Sequence, residues 1–394
     1  MKSLNSKLLK FFPILIIIAG IAVRLININQ PLLEFFPQRQ TQTAEITRNI
    51  YVNGWPDFWT PKVRYFTGSP IPYVLEFPLY NGLVAVLYHL FGPNIIWGRI
   101  ISLIFFILSS IVFYRLLLKT IPAVSAILTI LFFSFSPLHI LISRSFQPEE
   151  LALFLLLLAV YKKSWIFFSL AVLTKLPLVF FAPVLIYRQL RSQTLNVIPG
   201  LTRNLYKFVF KALASLIPAA IWYFRASRLT VHPAIARNFD VSNWFQPALW
   251  LNPRWYFSLF QIEHVWILTT LGLLFFWIGI WTALKRNGFA LWIIWLLSGI
   301  MYLSIFNYHA MTHEYYHLFL LPPLSVFIAA GLKKIFDTIK SLTLNFRLIA
   351  IAGVLLLFIL GLIQPAIKKI NSAPKDISLS EEIDFNRYRL IEDF

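Results

Sequence analysis

The feature that most constrains this chain is a series of long apolar runs separated by charged stretches. The runs are residues 11–28, 96–118, 121–142, 151–160, 164–187, 206–224, 265–283, 289–306, 315–332 and 347–364, with a shorter run at 82–91. Most are close to the roughly 20 residues that a helix needs to cross a bilayer. Because lipid offers the backbone no hydrogen-bond partner, each run is predicted to be a helix. The sequence therefore predicts an all-α polytopic membrane protein, a bundle of about 11 transmembrane helices.

The composition supports this class and excludes several others. Only 13% of the residues are charged and the mean hydropathy is +0.71, whereas soluble domains carry roughly 25% charged residues. The net charge is +19, but the basic residues lie beside the apolar runs, as the positive-inside rule requires, so the predicted partner is the membrane lipid bilayer and not a nucleic acid. The chain contains no cysteine, which excludes disulfides, thiolate metal sites and cysteine nucleophiles.

Segments that are basic and nearly free of acidic residues predict which loops face the cytoplasm. These segments are residues 1–10, 188–211, 285–286 and 333–340. Since such segments stay on the cytoplasmic side, the loops 29–78, 225–262 and 306–316 are predicted to share the opposite face. We therefore expect a multi-pass protein of the plasma (inner) membrane with its active site on the extracytoplasmic face.

The topology between residues 79 and 187 stays open at this point. A simple count of helices places the basic residues near 115–119 and 162–163 outside, against the charge rule. Both conflicts disappear if 79–94 is re-entrant and 164–187 breaks at residues 174–177 into a short hairpin. The sequence alone does not decide between these two topologies.

The sequence divides into a transmembrane domain and a C-terminal tail. The domain is predicted to span residues 1–365, with 29–78 as the first external loop and 225–262 as the second large one. Residues 366–394 are predicted to form a polar C-terminal tail, because the segment is rich in acidic residues and shows no apolar periodicity. A polar loop as long as 29–78 exceeds what a simple connection needs and indicates a built site.

The end of the first loop holds the first candidate catalytic residue. Glu76 stands two residues before Pro78, and proline fits the first turn of the helix that follows. A carboxylate held there is suited to take a proton from an acceptor hydroxyl or amine. The alternative is a carboxylate that only complements the dipole of that helix.

The stretch RQTQTA at the start of the loop offers groups that bind a phosphate and sugar hydroxyls. Arg39 supplies a guanidinium, and Gln42 and Thr43 supply an amide and a hydroxyl. Glu45 and Arg48 follow in the next turn, where their spacing also allows an ordinary i,i+3 ion pair on a helix.

Two cations further along the chain are candidates for the same phosphate. Lys175 interrupts an apolar run, and an unpaired ammonium there is costly, so we expect an anion or a water-filled cavity beside it. Arg144 belongs to the charged turn SRSFQPEE before another helix. Helix capping is the alternative explanation for that turn.

A polar and aromatic cluster lies at the mouth of a later helix. His313, Glu314, Tyr315 and Tyr316 belong to the stretch NYHAMTHEYYH and are candidates for substrate binding. His313 and His317 are spaced i,i+4, which allows metal binding, but the spacing typical of a zinc protease is missing. The other interpretation is an interfacial belt of aromatic side chains.

The order of these motifs resembles a known family. The motifs are, in chain order, Arg39 to Ala44, Glu76-Phe77-Pro78, Arg99, Gln147-Pro148-Glu149, Thr174 to Pro177 and His313 to Tyr316. The chain resembles the polyprenyl-phosphate-sugar-dependent glycosyltransferases of the GT-C fold, in particular family 39, the protein-mannosyltransferase-like and aminoarabinose-transferase-like group. Many relatives place an acidic residue early in the first loop, where this chain has Arg39-Gln40-Thr41-Gln42.

The resemblance implies a specific activity. It implies a polyprenyl-phosphate sugar donor, an extracytoplasmic acceptor of unknown identity (lipid, glycan or protein), and transfer of a hexose or pentose with inversion. Glu76 is then the first candidate for the base and Glu45 the second. No cofactor is predicted, and a divalent cation stays open. The competing class is a transporter or lipid flippase, which favours internal repeats and sites at the membrane midplane.

Overall fold

The computed structural model describes residues 6–64, 69–191, 201–230, 232, 236–285, 287–339 and 343–373. Nearly all of these residues are helical, as the apolar runs predicted. Five helices within the described residues are long and apolar enough to span a membrane: Ile96–Leu117, Tyr206–Leu229, Pro253–Leu284, Glu314–Thr338 and Leu348–Ser372. The chain is a polytopic α-helical membrane protein. Residues 374–394, most of the expected polar tail, lie outside the described residues.

The chain forms two compact units, each made of separate stretches of sequence. The first unit comprises Met1–Arg24, Ile107–Ile140 and Pro247–Lys368, and the second comprises Leu25–Phe106, Leu141–Gln246 and Lys369–Phe394. The residues of the helix Ile96–Leu117 are divided between the two units.

The described residues of the first unit form helices and the turns between them. Its α-helices, wholly or largely within the unit, are Ser6–Leu25, Ala123–Phe135, Pro137–Ile142, Pro253–Ile262, Thr269–Leu284, Ala290–Ile305, Asn307–Thr312, Leu321–Thr338 and Leu344–Ser372. Short 3₁₀ helices run over Pro247–Leu251, Asn287–Phe289 and Glu314–Leu320, and a π-helical turn covers Glu263–Leu268.

Two helices of the first unit cross at very close range through glycine. A Cβ atom on Gly279 would lie 1.7 Å from the carbonyl oxygen of Phe327, and one on Gly331 would lie 1.9 Å from that of Phe275. Small residues let helix backbones approach in a membrane, where packing rather than the hydrophobic effect holds helices together. Glycine at these two positions therefore sets the spacing of Thr269–Leu284 against Leu321–Thr338.

The second unit combines helices with a small sheet. Its α-helices are Pro37–Asn53, Trp55–Trp59, Leu79–Phe91, Glu149–Lys162, Trp165–Thr174, Ala182–Leu190, Leu201–Leu229 and Val241–Trp244, and its 3₁₀ helices are Leu176–Phe181 and Arg237–Phe239. The strands Lys62–Val63 and Ile71–Pro72 pair antiparallel, with Val63 opposite Ile71.

The segment 29–78, expected as a loop, contains a long polar helix over Pro37–Asn53. Proline stands at its first turn, where no amide donor is needed, and Gly54 ends it with φ 70°. The helix has no apolar stripe, since its buried face consists largely of polar side chains that are held by hydrogen bonds. The amide of Gln40 donates to the carbonyl of Phe35 at 2.7 Å and accepts from the backbone N–H of Phe146 at 2.9 Å.

The apolar run 164–187 breaks at residues 174–177, as in one of the two topologies that the sequence left open. The helix Trp165–Thr174 ends, Lys175 is extended with φ −151° and ψ 99°, and a 3₁₀ helix starts at Leu176. Pro177 has no amide hydrogen and disfavours a helical conformation in the residue before it. The break therefore follows from local chemistry, and it places Lys175 at the junction of the two helices.

Candidate active site

Four segments of the second unit bring four charged side chains into one cluster. Arg39 comes from the first turn of Pro37–Asn53, Glu76 from the extended chain before Leu79–Phe91, Glu149 from the first residue of Glu149–Lys162, and Lys175 from the helix break. We call these four residues the charged cluster. It contains two cationic side chains and two carboxylates, so positive and negative groups are equal in number.

The centre of the charged cluster is Glu76. Arg39 Nη2 donates to both of its carboxylate oxygens, at 2.7 Å for Oε1 and 2.6 Å for Oε2. Lys175 Nζ donates to Oε1 at 3.2 Å. The Glu76 side chain is 24% exposed, so a ligand can reach the carboxylate that holds both cations together.

Glu149 is the second carboxylate and is completely buried. Its Oε1 accepts from Lys175 Nζ at 2.7 Å and lies 3.4 Å from Arg39 Nη2. Its Oε2 has no hydrogen-bond partner among the described residues. Burying an ammonium is expensive unless it is paired, so Glu149 accounts for the position of Lys175 inside an apolar run.

Backbone contacts fix the stretch that carries Glu76. The indole N–H of Trp222 donates to the carbonyl of Leu75 at 3.0 Å. The backbone N–H of Phe77 donates to the carbonyl of Leu173 at 3.3 Å. Tyr223 locks the break itself, because its hydroxyl donates to the Leu173 carbonyl and accepts from the N–H of Leu176, both at 3.2 Å. The helix Leu201–Leu229 thus positions Glu76 and Lys175 together.

The helix that carries Arg39 is held by the helix Leu79–Phe91. Thr43 Oγ1 donates to the Arg39 carbonyl at 2.7 Å, and Asn81 Nδ2 donates to the Thr43 carbonyl at 2.8 Å. Gln42 is buried on the same helix. Glu45 is buried as well and accepts from the backbone N–H of Arg64 at 2.5 Å, so one of its oxygens already secures the chain just after the strand Lys62–Val63.

The pKa of Glu76 reflects two opposing influences. Burial by itself raises the pKa of this carboxyl group, but the positive charges of Arg39 and Lys175, and their hydrogen bonds, lower the pKa to about 2. Glu76 is therefore ionised at neutral pH. It is also a weak base for as long as both cations hold it.

The space beside the charged cluster is small. A cavity of about 20 Å³ adjoins Arg39, Thr43 and Glu76, which is room for about one water molecule. A sugar does not fit there without a rearrangement of the surrounding side chains.

The chain was compared with known proteins. No protein-family model and no curated protein matches it. It is similar to the crystal structure of ArnT from Cupriavidus metallidurans bound to undecaprenyl phosphate, with TM-score 0.58 and 15% identity over 96% of this chain and 76% of that one. The apo crystal structure of that ArnT matches with TM-score 0.54 and 15% identity, over 96% of this chain and 74% of that one. The chain has the GT-C fold.

A third solved structure is more distant. It is the Archaeoglobus fulgidus oligosaccharyltransferase tethered with an acceptor peptide, with TM-score 0.48 and 13% identity over 96% of this chain and 55% of that one. The GT-C fold expected from the order of the motifs thus rests on the two ArnT structures.

Within the GT-C fold, Arg144 occupies a different buried cluster of the second unit. Its Nη2 lies 3.2 Å from Glu34 Oε2 and donates to the carbonyl of Asn27 at 3.0 Å. Arg99 approaches the other oxygen of Glu34 at 3.3 Å and also donates to the carbonyl of Gln30 at 2.5 Å. The geometry gives Arg144 a bracing contact, apart from the residues that hold Glu76.

The residues expected at the helix mouth lie in the first unit. Tyr316 stacks on Tyr302 and His309, with ring centroids 5.9 and 5.4 Å apart, and His313 contacts Tyr315 edge-on at 5.4 Å. Glu314 begins the 3₁₀ helix Glu314–Leu320. Among the described residues, no group of three or more histidine, aspartate or glutamate side chains is placed to hold a metal ion.

The structure adds members to the site that the sequence did not single out. Glu149 appeared in the sequence only as part of a Gln-Pro-Glu turn, and nothing distinguished Trp222 or Tyr223 from other aromatic residues of an apolar helix. A signal for Glu149 existed: a buried lysine requires a counter-charge, and the acidic pair at 149–150 was the nearest one along the chain.

Proposed function

We propose that this GT-C protein is an integral-membrane glycosyltransferase that moves a sugar from a polyprenyl-phosphate donor to an extracytoplasmic acceptor with inversion. The fold of ArnT supports the class of protein. One observation carries the proposal: Arg39 and Lys175 converge on the part-exposed Glu76 carboxylate. A pair of cations next to a carboxylate is what a phosphate leaving group and a hydroxyl nucleophile require.

The donor phosphate competes with Glu76 for the two cations. The guanidinium of Arg39 binds a phosphate in the same two-oxygen manner as it now binds the Glu76 carboxylate. Once the phosphate takes Arg39 and Lys175, the positive charges no longer act on Glu76 alone, and its pKa rises from about 2. Donor binding therefore converts Glu76 from a weak base into a stronger one.

The reaction then proceeds as a single displacement. The acceptor oxygen forms a bond to the anomeric carbon, and the bond from that carbon to the phosphate oxygen breaks with its electron pair leaving on the polyprenyl phosphate. The acceptor proton moves to the Glu76 carboxylate. Arg39 and Lys175 stabilise the charge that develops on the leaving phosphate.

Glu149 keeps Lys175 in position during this exchange. It is buried and its oxygen is 2.7 Å from Lys175 Nζ, closer than that of Glu76 at 3.2 Å. Lys175 thus retains one carboxylate while the phosphate replaces the other. We assign the role of base to Glu76 before Glu45, because Glu45 is engaged with the backbone of Arg64.

The remaining details of the proposal concern place and substrate. The basic segments predict the plasma membrane, with the charged cluster on the extracytoplasmic face. Residues 1–365 act as the transferase domain, and the transferred group is a hexose or a pentose. Arg144, His313, Glu314, Tyr315 and Tyr316 remain proposed substrate contacts from the sequence.

Reconstitution into liposomes tests the proposal against the transporter alternative. Purified protein is supplied with several radiolabelled polyprenyl-phosphate hexoses and pentoses, and both sugar transfer and solute uptake are measured on one preparation. We expect transfer from at least one donor, lost in Glu76→Gln and kept in Asp337→Asn, an acid-to-amide change on a separate, half-buried ion pair. Solute uptake without any transfer would overturn the proposal.

A further inference from the structure

A second cavity, in the first unit, has the features of a ligand site. Its volume is about 710 Å³, within the range of small-molecule sites, roughly 300–1,000 Å³. Its lining is mainly aromatic and aliphatic, and it includes one carboxylic acid, Glu263, and one imidazole, His317. None of these residues belongs to the charged cluster, so the cavity is independent of the reaction proposed above.

The polar groups on the wall are mostly used within the protein. The indole N–H of Trp250 donates to the carbonyl of Ser304 at 3.1 Å, and that of Trp255 to the carbonyl of Asn307 at 2.9 Å. The hydroxyl of Tyr256 donates to the carbonyl of Trp250 at 2.8 Å. These donors are therefore not available to a ligand.

One acceptor stays unused. Glu263 Oε1 lies 2.7 Å from Nδ1 of the fully buried His317, whereas Glu263 Oε2 is buried with no hydrogen-bond partner among the described residues. A buried carboxylate oxygen without a donor is costly. Glu263 also opens the π-helical turn Glu263–Leu268, and such turns occur often at functional sites.

The hydrogen bonds of His317 fix the charge of the pair. Its Nε2 lies 2.8 Å from the carbonyl oxygen of Ala310, which can only accept, so Nε2 carries a hydrogen. One further proton lies between Nδ1 and Glu263 Oε1. Whether it belongs to the imidazole or to the carboxyl, the pair is neutral in sum, and Glu263 Oε2 is an acceptor.

These features select the ligand. Among the residues that the structure describes, no arginine or lysine lines the cavity, so a phosphate or carboxylate headgroup would meet an acceptor oxygen without a counter-charge. An ammonium would be desolvated beside a pair that is already neutral, which is unfavourable as well. A neutral hydroxyl donates one hydrogen bond and meets neither cost. We propose that this cavity binds a long-chain apolar alcohol from the bilayer, with its hydroxyl on Glu263 Oε2.

Photolabelling of the full-length protein in nanodiscs tests this site. Three diazirine probes share one alkyl chain and differ in the head: an alcohol, an amine and a carboxylate. Labelled peptides are mapped by mass spectrometry. We expect the alcohol to label the peptides around 250–260 and 300–324, about tenfold more than the carboxylate does, since one hydrogen bond to a buried acceptor is at stake.

Variants separate the hydroxyl contact from general lipid contact. Glu263→Leu, which removes both carboxylate oxygens, and Leu259→Trp, which fills the cavity from its wall, should each lower alcohol labelling about tenfold. Asp337→Asn, on a half-buried ion pair of the same unit, should leave alcohol labelling unchanged. Equal labelling by all three probes in the wild-type protein, stronger labelling by the amine, or full labelling in a folded Glu263→Leu variant would each overturn the proposal.

Discussion

Arg39 Nη2 contacts both carboxylate oxygens of Glu76, at 2.7 and 2.6 Å, across 37 residues of chain. Lys175, a further 99 residues away from Glu76, shares one of these oxygens. The Glu76 carboxylate thus occupies both cations, in the place of the phosphate that they are proposed to bind. This competition makes the chemistry of the site testable by single substitutions.

Replacing Glu76 by glutamine should abolish sugar transfer. The amide keeps the shape of the side chain but takes no proton, and loss of a positioned general base costs about 10²–10⁴-fold in rate. Initial rates of transfer in proteoliposomes measure this effect, and protease protection checks membrane insertion. A rate within threefold of the wild-type rate would assign the base to Glu45 or remove this mechanism.

Replacing Lys175 by methionine should weaken donor use and also lower stability. Glu149 would keep only Arg39, at 3.4 Å, and an uncompensated buried charge costs about 3–5 kcal/mol. The double variant Lys175→Met with Glu149→Gln removes that charge and should recover most of the unfolding temperature while donor use stays weak. Recovery of both properties together would show that Lys175 serves stability alone.

Acid should destabilise the protein through Glu76. Its pKa is lowered from 4.5 to about 2, so its contribution to stability is fully present above about pH 4.5 and is lost as the pH falls toward 2. Unfolding temperatures measured in detergent from pH 6 to 2 should therefore fall more steeply for the wild-type protein than for Glu76→Gln. Parallel curves for the two proteins would contradict the ion pairs described for Glu76.

Removing the Glu34 carboxylate should destabilise the second unit. Glu34→Leu leaves the buried guanidinium groups of Arg99 and Arg144 without their carboxylate, at a cost of about 3–5 kcal/mol. The unfolding temperature measures the loss. The milder Glu34→Gln gives enough folded protein for donor titrations. Weakened donor affinity in this variant would support the proposed contact of Arg144 with the substrate, and unchanged affinity would leave Arg144 with a bracing role alone.

The glycine crossing of the first unit should not tolerate a methyl group. Gly279→Ala places a Cβ atom 1.7 Å from the Phe327 carbonyl oxygen, and such overpacking costs about 1–3 kcal/mol. Gly353→Ala is the matched control, because nothing lies within 4 Å of its Cβ position, and alanine there favours the helix by about 1 kcal/mol. The unfolding temperature should fall in the first variant and hold or rise in the second. Similar values for both would mean that the helices can move apart without cost.

The sequence by itself determined the elements that local chemistry controls. Apolar runs about as long as a bilayer is thick specified membrane helices. Pro177 marked a break beside Lys175 as one of the two topologies that the sequence left open. The residue types at Arg39 and Glu76 indicated a cation and a carboxylate in one polar segment. The polar helix Pro37–Asn53 was harder to predict, because hydrogen bonds such as those of Gln40 replace the apolar periodicity that reveals most helices.

Only the tertiary structure decided which charges meet. Lys175 and Glu149 are 26 residues apart and two helices lie between them along the chain, whereas Arg39 and Glu149 are 110 residues apart. Arg144 could be a phosphate ligand by its residue type, yet it lies against Glu34, 110 residues upstream. Periodicity and capping in a sequence depend on residues that lie only a few positions apart along the chain. The pairing of buried charges instead depends on which helices pack together, since each charge must find its partner where the fold excludes water.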